Sequence, residues 1–484
     1  MILKIEKRLL QKYLILLIGP LLFITLGPLN IFSMDDKIKM VVGIAAWIVI
    51  WWITEAVPAP VTALLPIVLF PILKILPLND TAALYTHPTV FLYMAGFILA
   101  LAMEQQQLHI RIALYFIKLV GTATDKIILG FMFSTGFISL WISNTAAALL
   151  MFPIAISILK LLEDEFKSKG SANDYRNFSV GLLLSLAFSS VIGGMGTVIG
   201  SPTNIVLVGY MKDLYHVDVS FMGWVLIVFP FALILLLVAY IILTKIFFKV
   251  QLKSLEGISN ILDEKISELG PMTYQQYAVT IIFVLTALGW ILRSFVVELL
   301  GMNFLNDTII GMAGALLLFL IPDQSTKTGF LFDWKSMDKL AWGILLLIGG
   351  GLALGKALEN SGVIKMIGDS IAATGSNNYL YVLAMVIGVA SLLTQFMGNT
   401  ALNTIALPMV FGIANATGVS PIILGVATTL AVSLSFTLPM STPPMAIVFT
   451  GEVRIRDMMK SGALLAAVGI IMLLLYAKAF AWIL

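Results

Sequence analysis

An all-α polytopic membrane protein is the fold class that this sequence predicts, and three observations predict it. The 484 residues are 60% hydrophobic and only 11% charged, against about 25% charged in a soluble domain. Apolar runs separated by short polar connections begin near residues 13, 40, 59, 88, 127, 179, 221, 276, 307, 338, 379, 421 and 461. The alternating ten-residue strands that a closed barrel would need are missing, which leaves helices as the structure able to satisfy its backbone in lipid.

The same features exclude other classes. The formal net charge is +3, and the 29 Lys and Arg gather in short connections such as "MILKIEKRLLQK" and "TKIFFKVQLK". That pattern suits cytoplasmic loops, with the N-terminus inside a plasma membrane, and not a nucleic-acid surface. With no cysteine, disulfides and thiolate metal sites are absent. The first apolar run, from after Lys12 to about Phe32, is long enough for a retained span. The polar stretch at about 251–275 carries apolar residues at helical spacing, so it reads equally as an amphipathic surface helix or a solvated linker between two halves. His87, His109 and His216 are isolated, without metal-ligand spacing. The segment from Glu104 to Arg111 reads as a surface turn or short in-plane helix, and Lys356 and Glu359, one helical turn apart, can pair.

Two runs are too long for single spans. Residues 127–159 contain no Asp, Glu, Lys or Arg, and these 33 residues would make a helix of about 50 Å across about 30 Å of hydrocarbon. Ser143, Asn144 and Thr145 stand at the midpoint, so the run is predicted to be a re-entrant hairpin with its tip there. Between Asp369 and Glu452 lie 82 uncharged residues, split by the turn signal "NATGVSP", and Gly398, Asn399 and Thr400 lie near the centre of the first part.

These two places belong to an internal repeat. Asn144-Thr145 matches Asn399-Thr400 and Pro153 matches Pro408, both at an offset of 255, and "MAGFILALAM" from Met94 resembles "IGGGLALGKA" from Ile348 at 254. "GSPTN" at 200–204 then corresponds to "STPPM" at 441–445, an offset of 241, because a charged loop extends the first copy. Each copy thus holds a tip followed by a helix that proline interrupts. Paired broken helices are the sequence signature of a transporter's binding site.

Such breaks offer amide N–H groups at positive half-helix ends, together with Asn amides and Ser or Thr hydroxyls. They coordinate anions without a basic residue, and two symmetry-related tips suit a small molecule with a carboxylate at each end. Unwound carbonyls beside Ser, Thr and Asn also suit sodium, a hard cation. The alternative is that these side chains only join helices to one another.

The pattern resembles the divalent anion/sodium symporter family, the INDY-type di- and tricarboxylate transporters. "WWITEAVPAPVTALLPI" at 51–67, "SNTAAALLMFPI", "GGMGTVIGSPTN", "WGILLLIGGGLALGKALENSGV" at 342–363, "GNTALNTIALP" and "STPPMAI" carry the resemblance, from about residue 40 onward. It implies about eleven transmembrane helices plus two opposed re-entrant hairpins, in an inverted-repeat, elevator-type homodimer. Residues 1–126 and 221–360 would be mainly scaffold, and 127–220 and 361–484 the mobile transport parts. Ser143, Asn144, Thr145, Asn399 and Thr400 would hold substrate carboxylates, with Gly398, Ser201, Pro202, Thr442 and Pro443 completing the substrate site. One sodium site would use Ser139, Ser143, Asn144 and the Gly200 carbonyl; a second would use Thr394, Asn399 and the Ser441 carbonyl.

Three positions depart from the family pattern. Gly398 stands for the usual Ser of the second tip, Met445 for the Asn of "TPPN", and Thr203 for the second Pro of "SPPN". The first two fall in the second cation site, where glycine and thioether are poor sodium ligands. Exchange of one C4/C5 dicarboxylate (2-oxoglutarate, malate or succinate) for another is therefore expected over sodium symport. No cofactor is expected beyond possible sodium ions. An enzyme is excluded, since no nucleophile with its base, HExxH or paired intramembrane Asp is present. An anion channel is the remaining rival.

Overall fold

Proline and glycine set where the apolar runs start and stop as helices. Pro88, Pro202, Pro421 and Pro443 occupy first turns, where a missing N–H costs nothing. Gly301, Gly362 and Gly418 end helices in the left-handed conformation, which glycine adopts without a steric penalty. Side chains cap other starts: Ser220 accepts from Gly223 N, Thr273 from Gln276 N and Asn306 from Ile309 N.

The computed structural model describes residues 2–29, 34–121, 123–169, 172–252, 258–323, 329–372, 378–449 and 452–480. Among them the fold is helical, with one isolated bridge between Pro322 and Phe330 and no strand. Among the described residues, nine helices are long and apolar enough to cross a membrane, and shorter apolar helices accompany them. With each broken helix counted once and the hairpin arms set apart, the apolar helical segments are 13–26, 36–54, 59–72, 88–105, 173–215, 221–247, 274–300, 307–320, 342–361, 421–448 and 455–480. This grouping is compatible with the approximately eleven helices that the resemblance implied.

Both re-entrant features form. The first has arms Thr124–Ser139 and Asn144–Lys169, the second Tyr379–Leu393 and Asn399–Thr417. A short helix precedes each, Leu108–Val120 and Val363–Ala372. The first of these resolves the turn-or-helix question at Glu104–Arg111 as helix from Leu108, entered through Gln107 in the left-handed region. His109 and Arg111 on it are buried, where the sequence suggested a surface position for His109.

In the 251–275 stretch the helix runs Ile258–Glu268, and residues 253–257 lie outside the described set. It packs on Leu108–Val120. Arg111 donates through Nη2 to Leu269 O at 3.0 Å and Gly270 O at 2.8 Å, a cation on the last carbonyls where the helix dipole is negative. A helix therefore forms within the stretch.

The helix Trp342–Ser361 explains the glycine-rich stretch. A Cβ at Gly349 would lie 2.7 Å from Tyr85 Cα, and one at Gly350 2.3 Å from Ala63 O. One at Gly351 would lie 2.3 Å from Thr404 Cγ2, and one at Gly355 2.1 Å from Tyr210 Cε1. Glycine is needed so that elements on either side can touch this helix's backbone. Lys356 and Glu359 do pair, at 2.9 Å. The helix Ala172–Met195 is wholly buried over its apolar window, surrounded by both arms of the first hairpin, Phe221–Ile241 and Pro443–Val448.

Candidate functional site

The first tip is the connection of residues 140–143 between two helices. The arm Thr124–Ser139 stops, and Asn144 opens the next helix. Ser143 precedes it and accepts from Ala146 N at 3.3 Å, which is the hydrogen bond of an N-cap. Ser139, five residues before Asn144, is fully buried and donates to Ser190 O at 2.6 Å, with Asn144 Oδ1 at 3.0 Å. One edge of the Asn144 amide therefore meets only oxygens: Ser139 Oγ at 3.0 Å, and Ser190 O and Gly200 O each at 3.2 Å. With its nitrogen there, the amide donates to all three; with its oxygen there, four oxygens converge. A small cation is the partner that reconciles the second arrangement.

Behind this cradle the first broken helix unwinds between Met195 and Pro202. Asn204 holds the unwound turn through Nδ2, which donates to Gly194 O at 2.9 Å, Met195 O at 3.3 Å and Thr197 O at 2.7 Å. Thr197 donates to Leu140 O and accepts from Gly200 N, tying the break to the tip. Gly194 has no space for a side chain, since a Cβ would lie 1.9 Å from Asn144 Oδ1.

The second copy repeats this plan. Thr394, again five residues before its asparagine, donates with Asn399 Oδ1 at 2.8 Å and Val432 O at 2.5 Å. One hydroxyl proton cannot satisfy both acceptors fully. Gly398 is the N-cap residue, with no side-chain bond; glycine in place of serine there costs only a few tenths of a kcal/mol.

The second break is longer than "STPPM" suggested: the helix stops at Val432 and restarts at Pro443. Pro439, with no counterpart in the first copy, supplies no N–H for Ser435 O and its ring collides with that carbonyl in a helix. Ser441 Oγ lies 3.2 Å from Ser435 O and donates to Leu438 O at 2.7 Å. These are the counterparts of Gly194 O and Thr197 O, which Asn204 holds in the first copy.

The departures at 398 and 445 thus correspond, in copy one, to a cap hydroxyl and to an amide that bonds carbonyls through nitrogen.

The two copies interlock. Helix Pro202–Tyr215 packs on the arm Asn399–Thr417, and Pro443–Val448 packs on the arm Asn144–Lys169. Asn403 donates to Thr203 O at 2.9 Å. Ser201 and Thr203 share a hydroxyl contact of 2.8 Å, Pro202 is half-buried and Pro443 exposed. Thr442 is buried with its hydroxyl unpartnered, while Thr145 and Thr400 are half-buried. Gln395, Asn403, Tyr210 and Ser435 were not singled out from the sequence. Their signal was available: Gln395, Asn403 and Ser435 are polar residues inside the 82-residue uncharged segment.

A multi-pass membrane carrier, with re-entrant tips set against broken helices in two repeated halves, is the class this architecture defines. The chain belongs to the family described as the sodium:sulfate symporter transmembrane region, whose model matches residues 7–484. This is the divalent anion/sodium symporter group that the motifs resemble, a family of transporters and not of enzymes. A sodium-dependent dicarboxylate transporter of Staphylococcus saprophyticus is 36% identical over 466 residues, 95% of this chain and 89% of that protein. Its namesake in Staphylococcus aureus strain USA300 is 37% identical over 470 residues, 95% and 90% of the two chains. Among solved structures, the YdaH transporter of Alcanivorax borkumensis aligns with a TM-score of 0.52, at 11% identity, over 83% of this chain and 87% of that one. At that identity the likeness concerns the fold alone.

Proposed function

We propose that the protein is a secondary active carrier of small dicarboxylates, of the C4 and C5 kind represented by succinate, malate and 2-oxoglutarate. It works as a homodimer in the plasma membrane with its N-terminus in the cytoplasm. The relatives named as sodium-dependent dicarboxylate transporters, 36–37% identical over 95% of the chain, support the substrate class. The substrate lies between the tips, held by Ser143, Asn144 and Thr145 on one side and Asn399 and Thr400 on the other. The amides opening the helices at Asn144 and Asn399 carry the positive end of each dipole, and the unpartnered Thr442 hydroxyl is a further donor.

Sodium coupling is the mode the geometry supports best. The observation that carries it is the gathering of oxygens around each tip amide: Ser139 Oγ, Ser190 O and Gly200 O at Asn144, and Thr394 Oγ1 and Val432 O at Asn399. Exchange without an obligatory cation is the second reading, favoured by Gly398, which gives the second tip no side chain. Residues 127–220 and 361–484 move as the transport part against 1–126 and 221–360. The glycine face of Trp342–Ser361, bare toward Thr404 and Tyr210, supports such sliding.

The test is labelled succinate entering proteoliposomes. Uptake into substrate-free liposomes that needs sodium and fails in choline supports the proposal. Counterflow that is indifferent to sodium selects exchange, and a conductive leak without counterflow overturns the carrier.

A further inference from the structure

The second cradle differs from the first in what holds it, and the difference falls on three side chains. Pro439 unwinds one more turn in this copy, which leaves Val432 O, Leu434 O and Ser435 O without the N–H groups a helix would bring. A carbonyl left unpaired at this depth is costly. Thr394 meets Val432 O, and Gln395 and Ser441 meet the other two. Gln395 donates through Nε2 to Leu434 O at 2.9 Å and to Ser391 O at 2.8 Å, while its Oε1 accepts from Thr437 N at 3.2 Å and Thr437 Oγ1 at 2.6 Å. All four of its hydrogen-bonding positions are filled, and it sits directly after Thr394. Its counterpart in the first copy is Leu140, which can brace nothing. Ser441 closes the next turn, as Asn204 does in the first copy.

Ser435 is the most specific of the three. It is fully buried, and its Oγ accepts from Asn399 Nδ2 at 2.9 Å. With the amide nitrogen engaged there, Asn399 Oδ1 is turned to the opposite side, toward Thr394 Oγ1 and Val432 O. In the first copy the corresponding position is Gly194, where no side chain fits, so no hydroxyl there turns the Asn144 oxygen inward, and the oxygens around that edge suit its nitrogen.

We propose that Ser435, with Gln395 and Ser441, is the positioning frame of the second cradle. It holds the Asn399 carbonyl oxygen inward as a ligand for a coupling cation and replaces the frame that Met445 cannot supply. The proposal rests on the sodium-coupled reading above. Pre-orientation lowers the cost of binding, because the ion meets oxygens already in place. The three residues touch no substrate; they act through Asn399 and the unwound carbonyls.

The experiment titrates sodium chloride against choline chloride at constant ionic strength, on the full-length carrier. It reads thermal stability in detergent and succinate uptake in proteoliposomes. Ser435→Ala and Gln395→Leu are expected to raise the sodium midpoint of both readouts roughly fivefold, the size expected for losing one buried hydrogen bond. Maximal uptake at saturating sodium stays within about twofold of the unsubstituted carrier, since losing a positioning contact need not touch the transport step. Ser435→Thr, which keeps the hydroxyl, restores the midpoint. If Ser435→Ala does not yield folded carrier, Ser435→Gly, which copies Gly194, takes its place.

A sodium midpoint unmoved by loss of the 435 hydroxyl, in a carrier that responds to sodium, overturns the role of Ser435 and leaves the coupling reading standing. A carrier whose stability and uptake both ignore sodium overturns the coupling reading, and this proposal with it.

Discussion

Asn403, one turn into the arm that follows the second tip, donates its amide hydrogen to the carbonyl of Thr203 in the first broken helix, 2.9 Å away. The two residues are 200 positions apart, and the bond joins the two repeats at the level of their breaks. Its counterpart position in the first copy is Ala148, so the link is made once and from one side.

Asn403→Ala leaves Thr203 O and the Thr429 hydroxyl short of a partner in a dry interior, a loss of about 1–3 kcal/mol. The expected outcome is a lowered melting temperature in detergent together with weaker succinate binding, read by thermal shift and by equilibrium binding. Unchanged values in both would mean that the tips are held in register by packing alone.

Removing either tip amide tests the site directly. Asn144→Ala and Asn399→Ala are each expected to abolish succinate binding while the protein still folds and elutes as the parent does in size-exclusion chromatography. Parental affinity in both variants would take the tips out of the substrate site.

The glycine face of Trp342–Ser361 gives a steric prediction. At Gly355 a Cβ would approach Tyr210 Cε1 to 2.1 Å, and Tyr210 donates to Gly351 O at 2.6 Å, with Thr404 O at 3.1 Å. Gly355→Val therefore displaces the ring and breaks that contact, with the overpacking cost of about 1–3 kcal/mol. Tyr210→Phe removes the hydroxyl without the clash. The valine variant is expected to lose transport and stability, and the phenylalanine variant to lose less of each; equal effects would assign the damage to the hydroxyl.

Arg111 gives a prediction outside the site. Its guanidinium holds the carbonyls of Leu269 and Gly270 at the end of Ile258–Glu268, and Lys118 pairs with Asp263 on the same helix. The second pair is half-exposed and contributes little, so Arg111→Met is expected to free the helix where Lys118→Met does not. Limited proteolysis across residues 258–272 reads the difference, and equal cleavage in both variants would remove Arg111 from that role.

Much of this protein was legible in the chain itself. Run lengths against the thickness of hydrocarbon placed both re-entrant features, and the Asn-Thr repeat located both tips, because a polar residue is tolerated at that depth only with a purpose. Proline marked both breaks, and the resemblance carried by the tip and proline motifs reached the family that the comparisons support. What the chain could not reveal is the direction in which each polar side chain bonds. Ser143 became a cap, Asn204 turned its nitrogen to carbonyls, and Asn399 was fixed by Ser435 from 36 residues away. An amide has a donor edge and an acceptor edge, and which one faces the cradle depends on partners that only folding brings near. The sequence by itself therefore determined where the membrane path is broken, and the tertiary structure decided what each break presents.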